Sequence, residues 1–332
     1  MIVEITATAG QKRRERTNGL STNQKGGEHG HDGVDRCTAT VWDNRMVKPL
    51  VSIVIPAYNN AEYLDETMRS VLAQTYERIE VIVADHSSTD DTLAVMKRYE
   101  NDPRVTLLST EAGGGALRNW NRVSQAATGE YLKLVCGDDI IRPELVERQV
   151  AALEAAPGSV LAATKRDIVD ADGRPFVRGR GLGRLRGRVS GAAAARATVR
   201  AGTNIFGEPA CVLMRRDALE SAGWWDNRFP YLIDVASYVR VMLQGDVVAL
   251  DESLASFRVS ESQWSVRLVR DQASQTIGFN RSLRAERPDV VRRVDLSLGD
   301  LRARLMARVR QASYLYLGRR MSRTSTAVAE GS

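Results

Sequence analysis

Cysteine is scarce in this chain. Cys37, Cys136 and Cys211 are odd in number and widely spaced, which excludes a disulfide framework and a cysteine-rich zinc site and suits a reducing compartment. Long apolar runs are missing too. No stretch reaches the roughly 18 apolar residues of a spanning helix, and the opening "MIVEITATAGQKRRERTNGL" lacks the apolar centre of a signal peptide. A cytoplasmic protein is expected. The fingerprint G-x-G-x-x-G does not open from the first predicted strand, which counts against a dinucleotide-dependent oxidoreductase. Charge of one sign does not dominate either: 47 Lys+Arg against 41 Asp+Glu leave +6, which suits an anionic ligand or an anionic membrane surface and selects neither.

The 332 residues, 43% apolar and 27% charged, suffice for one large domain or two small ones. Residues 1–45 show no apolar periodicity and are expected to be a disordered extension, with Met46 a candidate start. Their Glu28-His29-Gly30-His31-Asp32 cluster reads as solvated tail rather than a metal site. From Pro49 the texture changes. Apolar runs at 50–56, 79–85, 105–109 and 131–136 read as buried strands. They alternate with helical patterns beginning at Leu64, after the Ser87–Asp91 caps, over 116–127, and from Pro143 to Pro157-Gly158. This order predicts an α/β fold built on a mostly parallel, doubly wound sheet. Ligands in such sheets bind beyond the carboxyl ends of the strands. Those ends carry Pro56-Ala57-Tyr58-Asn59, Asp85-His86-Ser87 and Gly137-Asp138-Asp139.

The adjacent acids Asp138 and Asp139 either hold a hard divalent cation such as Mg²⁺ or Mn²⁺ or cap the helix near Pro143. Asp85 is either a ligand contact or the start of a loop. The run Gly113-Gly114-Gly115 is weak evidence of phosphate contact.

Together these segments resemble the inverting glycosyltransferases of family 2, with the GT-A fold. "VSIVIPAYNNAEYLDETMRSVLAQTY" is similar to that family's opening strand and helix. "VIVADHSSTDDT" resembles its V-D-x-x-S-T-D-x-T segment, and "GALRNWNRVSQAATGEYLKLVCGDD" its A-R-N-x-G…G-E-Y…D-x-D stretch. The resemblance covers about 50–265. It implies that Pro56, Tyr58 and Asn59 line a nucleotide pocket, that Asp85 binds the base, and that Arg118 and Asn119 sit on the substrate side. Asp138 then matches the last acid of D-x-D, the ligand of metal and diphosphate, with Asp139 beside it. Cys136 replaces the first acid, which puts metal dependence in doubt.

"NIFGEPACVLMRRDALESAGWWDNRFPYLIDVASYVRVMLQGDVVAL" resembles the acceptor half. There Asp234 holds the position of the carboxylate that opens a helix beneath the acceptor, the expected general base; the alternative is a helix cap. Glu208 is either a donor-sugar or acceptor contact or a turn residue. Trp224 and Trp225 form either a sugar-stacking platform or core.

The seven arginines between Arg178 and Arg200 are expected in a mobile loop over the crevice, clamping phosphates or merely solvated. No stacking aromatics accompany them, so no nucleic acid partner is expected. A helical region is expected over 266–320 and a disordered tail over 321–332. Leu301, Leu305, Val309, Ala312 and Tyr316 share one helical stripe amid arginines. That stripe either meets the inner face of the membrane through 299–320 or packs on the domain.

The expected function is inverting transfer of a hexosyl or deoxyhexosyl unit from a UDP or dTDP sugar to a carbohydrate or lipid-linked acceptor, in polysaccharide or glycoconjugate synthesis. A non-catalytic nucleotide-sugar-binding relative is the rival reading.

Overall fold

The computed structural model describes residues 48–259 and 271–309. The expectations for 1–45, for Ala312 and Tyr316, and for the 321–332 tail lie outside them. The first half follows the predicted alternation: β1 (Val51–Ala57), α1 (Leu64–Leu72), β2 (Ile79–Asp85), α2 (Thr92–Lys97), β3 (Val105–Ser109), α3 (Gly115–Gln125) and β4 (Tyr131–Leu134). β1 is buried along its whole length and β2 along nearly all of it, as strands covered by helices on both faces must be. Pro56, expected to end β1, is its penultimate residue and is buried. Strands β3, β2, β1 and β4 lie side by side and parallel, so the exits of β1, β2 and β4 open onto one edge.

The second half is mixed rather than parallel. It comprises β5 (Ile140–Ile141), α4 (Leu145–Glu154), β6 (Ser159–Val169), β7 (Pro175–Arg180), β8 (Gly187–Ser190), α5 (Gly191–Ala201), β9 (Val212–Arg215), α6 (Arg216–Ser221), α7 (Ile233–Met242) and β10 (Asp246–Arg258). β9 enters antiparallel between β4 and β6, while β10 runs parallel to β6 and pairs antiparallel with β5 and β8. One hydrophobic core runs through both halves.

The arginine-rich stretch is not a loop. It contributes β7, β8 and α5. Ser190 caps α5, its hydroxyl accepting from the Ala193 N–H, and Ala194, Ala195, Thr198 and Val199 bury one face, so the alanines supply a helix where glycine and arginine suggested mobility. Several of its arginines are tied to acids elsewhere: Arg188 to Asp246 (2.7 Å), Arg186 to Asp251 (3.1 Å) and Arg200 to Asp295 (3.3 Å).

Two helices follow β10 among the described residues, α8 (Gln272–Glu286) and α9 over 293–309. Packing of the Leu301, Leu305, Val309 stripe on the domain is overturned. Those side chains are exposed, and Ala303 and Ala307 are buried instead.

Candidate active site

The loops leaving β1 and β2 are interlocked. Asn59, in the left-handed region at φ 49°, donates its backbone N–H to Ser88 Oγ (2.9 Å), and its Oδ1 accepts from the Thr89 N–H (2.9 Å). The Thr92 hydroxyl receives the Asn60 N–H (2.8 Å), and Asp90 receives the Ala61 N–H (3.0 Å). Burial opposes ionisation of Asp90, but hydrogen bonds from the Thr92 hydroxyl and from backbone N–H groups outweigh it and hold the carboxyl below its usual value. This frame presents two groups at the strand ends. Tyr58 is 54% exposed and stands edge-on to His86, whose ring reaches the Gly113 carbonyl at 2.8 Å. Both Asp85 carboxylate oxygens lie 3.3 Å from the Ser88 N–H.

Asn119, expected on the substrate side, is engaged within the protein. Its amide donates to the carbonyls of Ala57 (3.2 Å) and Ala84 (3.1 Å) and accepts from the Thr110 hydroxyl (2.7 Å), which pins the ends of β1, β2 and β3 together. Arg118 is exposed. It pairs with Glu111 (2.5 Å) and the Ala112 carbonyl (3.0 Å), bracing the glycine loop.

Beyond β4 the chain turns through Cys136-Gly137-Asp138-Asp139. A Cβ at Gly137 would stand 2.7 Å from Asn60 Oδ1, so any larger residue there must displace the Asn60 side chain. The capping alternative fails for both acids, since β5 intervenes and α4 starts at Leu145 with Glu144 at the cap position. Cys136 Sγ and one oxygen each of Asp138 and Asp139 lie within 4.8 Å of one another. Asp139 is 1% exposed, and neither of its carboxylate oxygens has a hydrogen-bond partner. Burial, then the charges of Asp138 and Glu208, push its pKa well up. A buried carboxyl in that state takes a proton or a cation. Two acids and a thiol in one turn fit a divalent ion, with oxygen donors for a hard one.

Arg258, at the end of β10 and 2% exposed, secures this turn. It donates to the Asp138 carbonyl (3.2 Å), the Ala171 carbonyl (2.6 Å) and Glu66 (2.5 Å), with its guanidinium 4.5 Å from the Tyr63 ring centre.

Asp234 approaches from the other half, in the first turn of α7. It is not the N-cap, which is Leu232. Its Oδ2 accepts from Asn204 Nδ2 (2.7 Å) and its Oδ1 from the Val235 N–H (2.6 Å). Asn204 also organises its own loop, accepting from the N–H groups of Phe206 (2.9 Å) and Gly207 (3.1 Å). Burial, with Glu208 adding to it, raises the Asp234 pKa from 3.8 to about 7, against the pull of the Val235 N–H and Arg166. Glu208 is held by buried Arg166, which donates from NH2 at 3.1 Å and pairs more closely through Nε.

The two halves meet at Cys136. Burial and then the charges of Asp139, Asp138, Asp234 and Glu208 drive its thiol pKa well up. The charges of acids about 70 to 100 residues away along the chain, Glu208 and Asp234, thus reach the turn after β4.

Trp225 must be removed from the sugar platform. It is 2% exposed, its indole N–H donates to Ser124 Oγ (2.8 Å), and Trp120 and Tyr238 contact its ring edge-on. Trp224 is half-buried against the same core, with φ 63°. Arg166, Asn204, Tyr238 and Arg258 escaped the sequence reading. The charged triplet Lys165-Arg166-Asp167 in the otherwise apolar strand 159–169 is a signal for Arg166, though it does not separate it from its neighbours.

A Rossmann-like half, a switch to antiparallel strands and an acid cluster at the switch define the GT-A class of glycosyltransferase folds. The family model described as "Glycosyl transferase family 2" matches residues 52–223, and the chain belongs to that family. It is 30% identical over 231 residues, 67% of this chain and 71% of the relative, to "Uncharacterized protein MT1568" of Mycobacterium tuberculosis (strain CDC 1551 / Oshkosh). Other bacterial relatives are matched over less than half of their own length. Among solved structures, S. aureus TarS 1–349 in complex with UDP-GlcNAc superposes with a TM-score of 0.58 at 19% identity, over 71% of this chain and 66% of that one. The mannosyltransferase PcManGT from Pyrobaculum calidifontis, in complex with GDP-Man and Mn²⁺, gives 0.54 at 18% identity, over 83% and 81%.

Proposed function

We propose that the chain transfers a hexosyl or deoxyhexosyl unit from a nucleoside diphosphate sugar of the UDP or dTDP type to an acceptor hydroxyl, with inversion. The observation that carries this reading is the carboxyl of Asp234. It is oriented by Asn204, has a pKa near 7, and its charge reaches Cys136 in the acid turn after β4. An acceptor hydroxyl is a weak nucleophile, and a base titrating near the working pH removes its proton as the new bond forms. In-line displacement needs that base opposite the departing diphosphate. Asp234 and Asp138 approaching from different halves of the fold support such an arrangement.

Tyr58, Asn59 and Asp85 form the nucleotide corner: Tyr58 offers a ring face, and Asp85 an acceptor for a base N–H. Asp138 and Asp139, with Cys136 alongside, would hold Mg²⁺ or Mn²⁺, whose charge would neutralise the diphosphate as it leaves. Glu208, fixed by Arg166, borders the donor sugar or the acceptor. A carbohydrate or lipid-linked acceptor suits the polysaccharide-related names of several relatives, among them a teichuronic acid glycosyltransferase and a succinoglycan biosynthesis protein. A cytoplasmic setting agrees with the free thiols.

The test is a thermal-shift and turnover screen of UDP, dTDP and GDP sugars and NAD, each with and without Mn²⁺. Metal-dependent stabilisation by a pyrimidine diphosphate, with donor turnover abolished in Asp234→Asn, is the expected result. Stabilisation by NAD alone, or full turnover in that variant, overturns the proposal. Nucleotide binding without turnover in the wild type assigns the chain to the non-catalytic relatives.

A further inference from the structure

Helix α9 leaves four large apolar side chains, Val294, Leu301, Leu305 and Val309, exposed, while Leu296 packs on the core. At 3.6 residues per turn, Val294, Leu298, Leu301 and Leu305 share one side and Leu296, Gly299, Ala303 and Ala307 the other. The small-residue side is the packed one. Ala303 is 3% exposed, and α9 approaches the end of α5 so closely that a Cβ on Gly202 would stand 2.5 Å from the Gly299 carbonyl oxygen. The opposite side meets solvent, with Val294 67%, Leu301 65% and Leu305 58% exposed. Of the seven exposed large hydrophobics among the described residues, four lie on this one helix, so the stripe is not the scatter expected of an ordinary surface.

Charge surrounds the stripe with a single sign. Arg293, Arg302, Arg304 and Arg308 are exposed along it. The two acids of 293–309 face inward: Asp295 is buried against Arg200 (3.3 Å), and Asp300 pairs with Arg281 (3.5 Å).

We propose that this face of α9 docks on an anionic lipid bilayer, with Val294, Leu301 and Leu305 entering the acyl boundary and the flanking arginines meeting headgroup phosphates. An apolar stripe between rows of cations is the pattern of a helix lying in the interface plane, and surface arginines are attracted to anionic leaflets. A second copy of the chain fits poorly, because pairing two such stripes brings arginine rows together. Since Gly299 and Ala303 clamp the rear of α9 to the domain, the bilayer would hold the whole catalytic body. The inference stands apart from the transferase reading, because it concerns no residue of the acid cluster.

The experiment is vesicle sedimentation of the full chain, with light scattering of the protein alone. Wild type should sediment with vesicles of phosphatidylcholine mixed with phosphatidylglycerol, remain in solution with phosphatidylcholine alone, and be released by salt. Leu301→Asp with Leu305→Asp should abolish sedimentation while circular dichroism and melting stay unchanged, since both side chains are exposed. Arg304→Gln and Arg308→Gln should each weaken partitioning about fivefold at low salt. Wild type that ignores anionic vesicles overturns the proposal, as does a Leu301→Asp, Leu305→Asp variant that binds them like wild type. A wild-type dimer made monomeric by the aspartates, without vesicle binding, overturns it in favour of self-association.

Discussion

Asn204 Nδ2 donates to Asp234 Oδ2 at 2.7 Å, tying the loop before β9 to the first turn of α7. The bond favours the ionised carboxylate, against burial that disfavours it. Two kinetic outcomes follow. Asp234→Asn should lower kcat about 100-fold or more, the usual scale of a lost general base, with little change in KM for the donor. Asn204→Ala removes a donor to the charged form, so the rising limb of kcat against pH should move upward from about 7. Steady-state turnover across pH checks both.

The same carboxyl makes stability depend on pH. Below its ordinary value of 3.8, Asp234 is protonated in folded and unfolded chains alike. Between 3.8 and about 7 the unfolded chain ionises while the folded one resists, so stability falls as pH rises, and above about 7 the loss is constant. Asp234→Asn should therefore melt higher than wild type above pH 7, with the gap closing toward pH 4. Melting curves of the two proteins over that range test the sign.

Arg166 pairs with Glu208, and the charges of Glu208 and, more weakly, Asp139 raise its pKa against the desolvation that lowers it. Arg166→Met removes the counter-charge from both carboxyls. A loss of about 3–5 kcal/mol is expected, the scale of breaking one side of a buried pair. Arg166→Met with Glu208→Gln should recover much of it. Urea unfolding in metal-free buffer measures the difference.

Cys136 lies within 4.8 Å of an oxygen of Asp138 and of Asp139, and the charges of Asp234 and Glu208 reach it as well. Cys136→Asp adds an oxygen ligand and a like charge to the same turn, so it should lower the melting temperature in EDTA and increase the stabilisation given by Mn²⁺ with UDP. Asp138→Asn should abolish that metal-dependent stabilisation. Paired thermal shifts with and without Mn²⁺ decide.

The first half of the fold was legible because parallel strands buried on both faces must be written as apolar runs. "LVSIVIP" and "IEVIVAD" leave few alternatives, and their exits mark Tyr58, Asn59 and Asp85. The second half was not. The stretch from Arg178 to Arg200 looks mobile until Arg188, Arg186 and Arg200 find Asp246, Asp251 and Asp295, partners 58 or more residues away along the chain. The tandem Trp224-Trp225 looks like a platform until Ser124 and Tyr238 enclose the second ring.

Local order along the chain was therefore enough to specify alternating elements and acids at strand exits, while Asp234 was marked by family resemblance alone. The elements and their exits are short-range properties of hydrophobic period and residue chemistry. Which acids are buried together, which cation neutralises them and which face of α9 stays in water depend on desolvation and on charges brought close by folding. Those quantities have no value until distant segments meet.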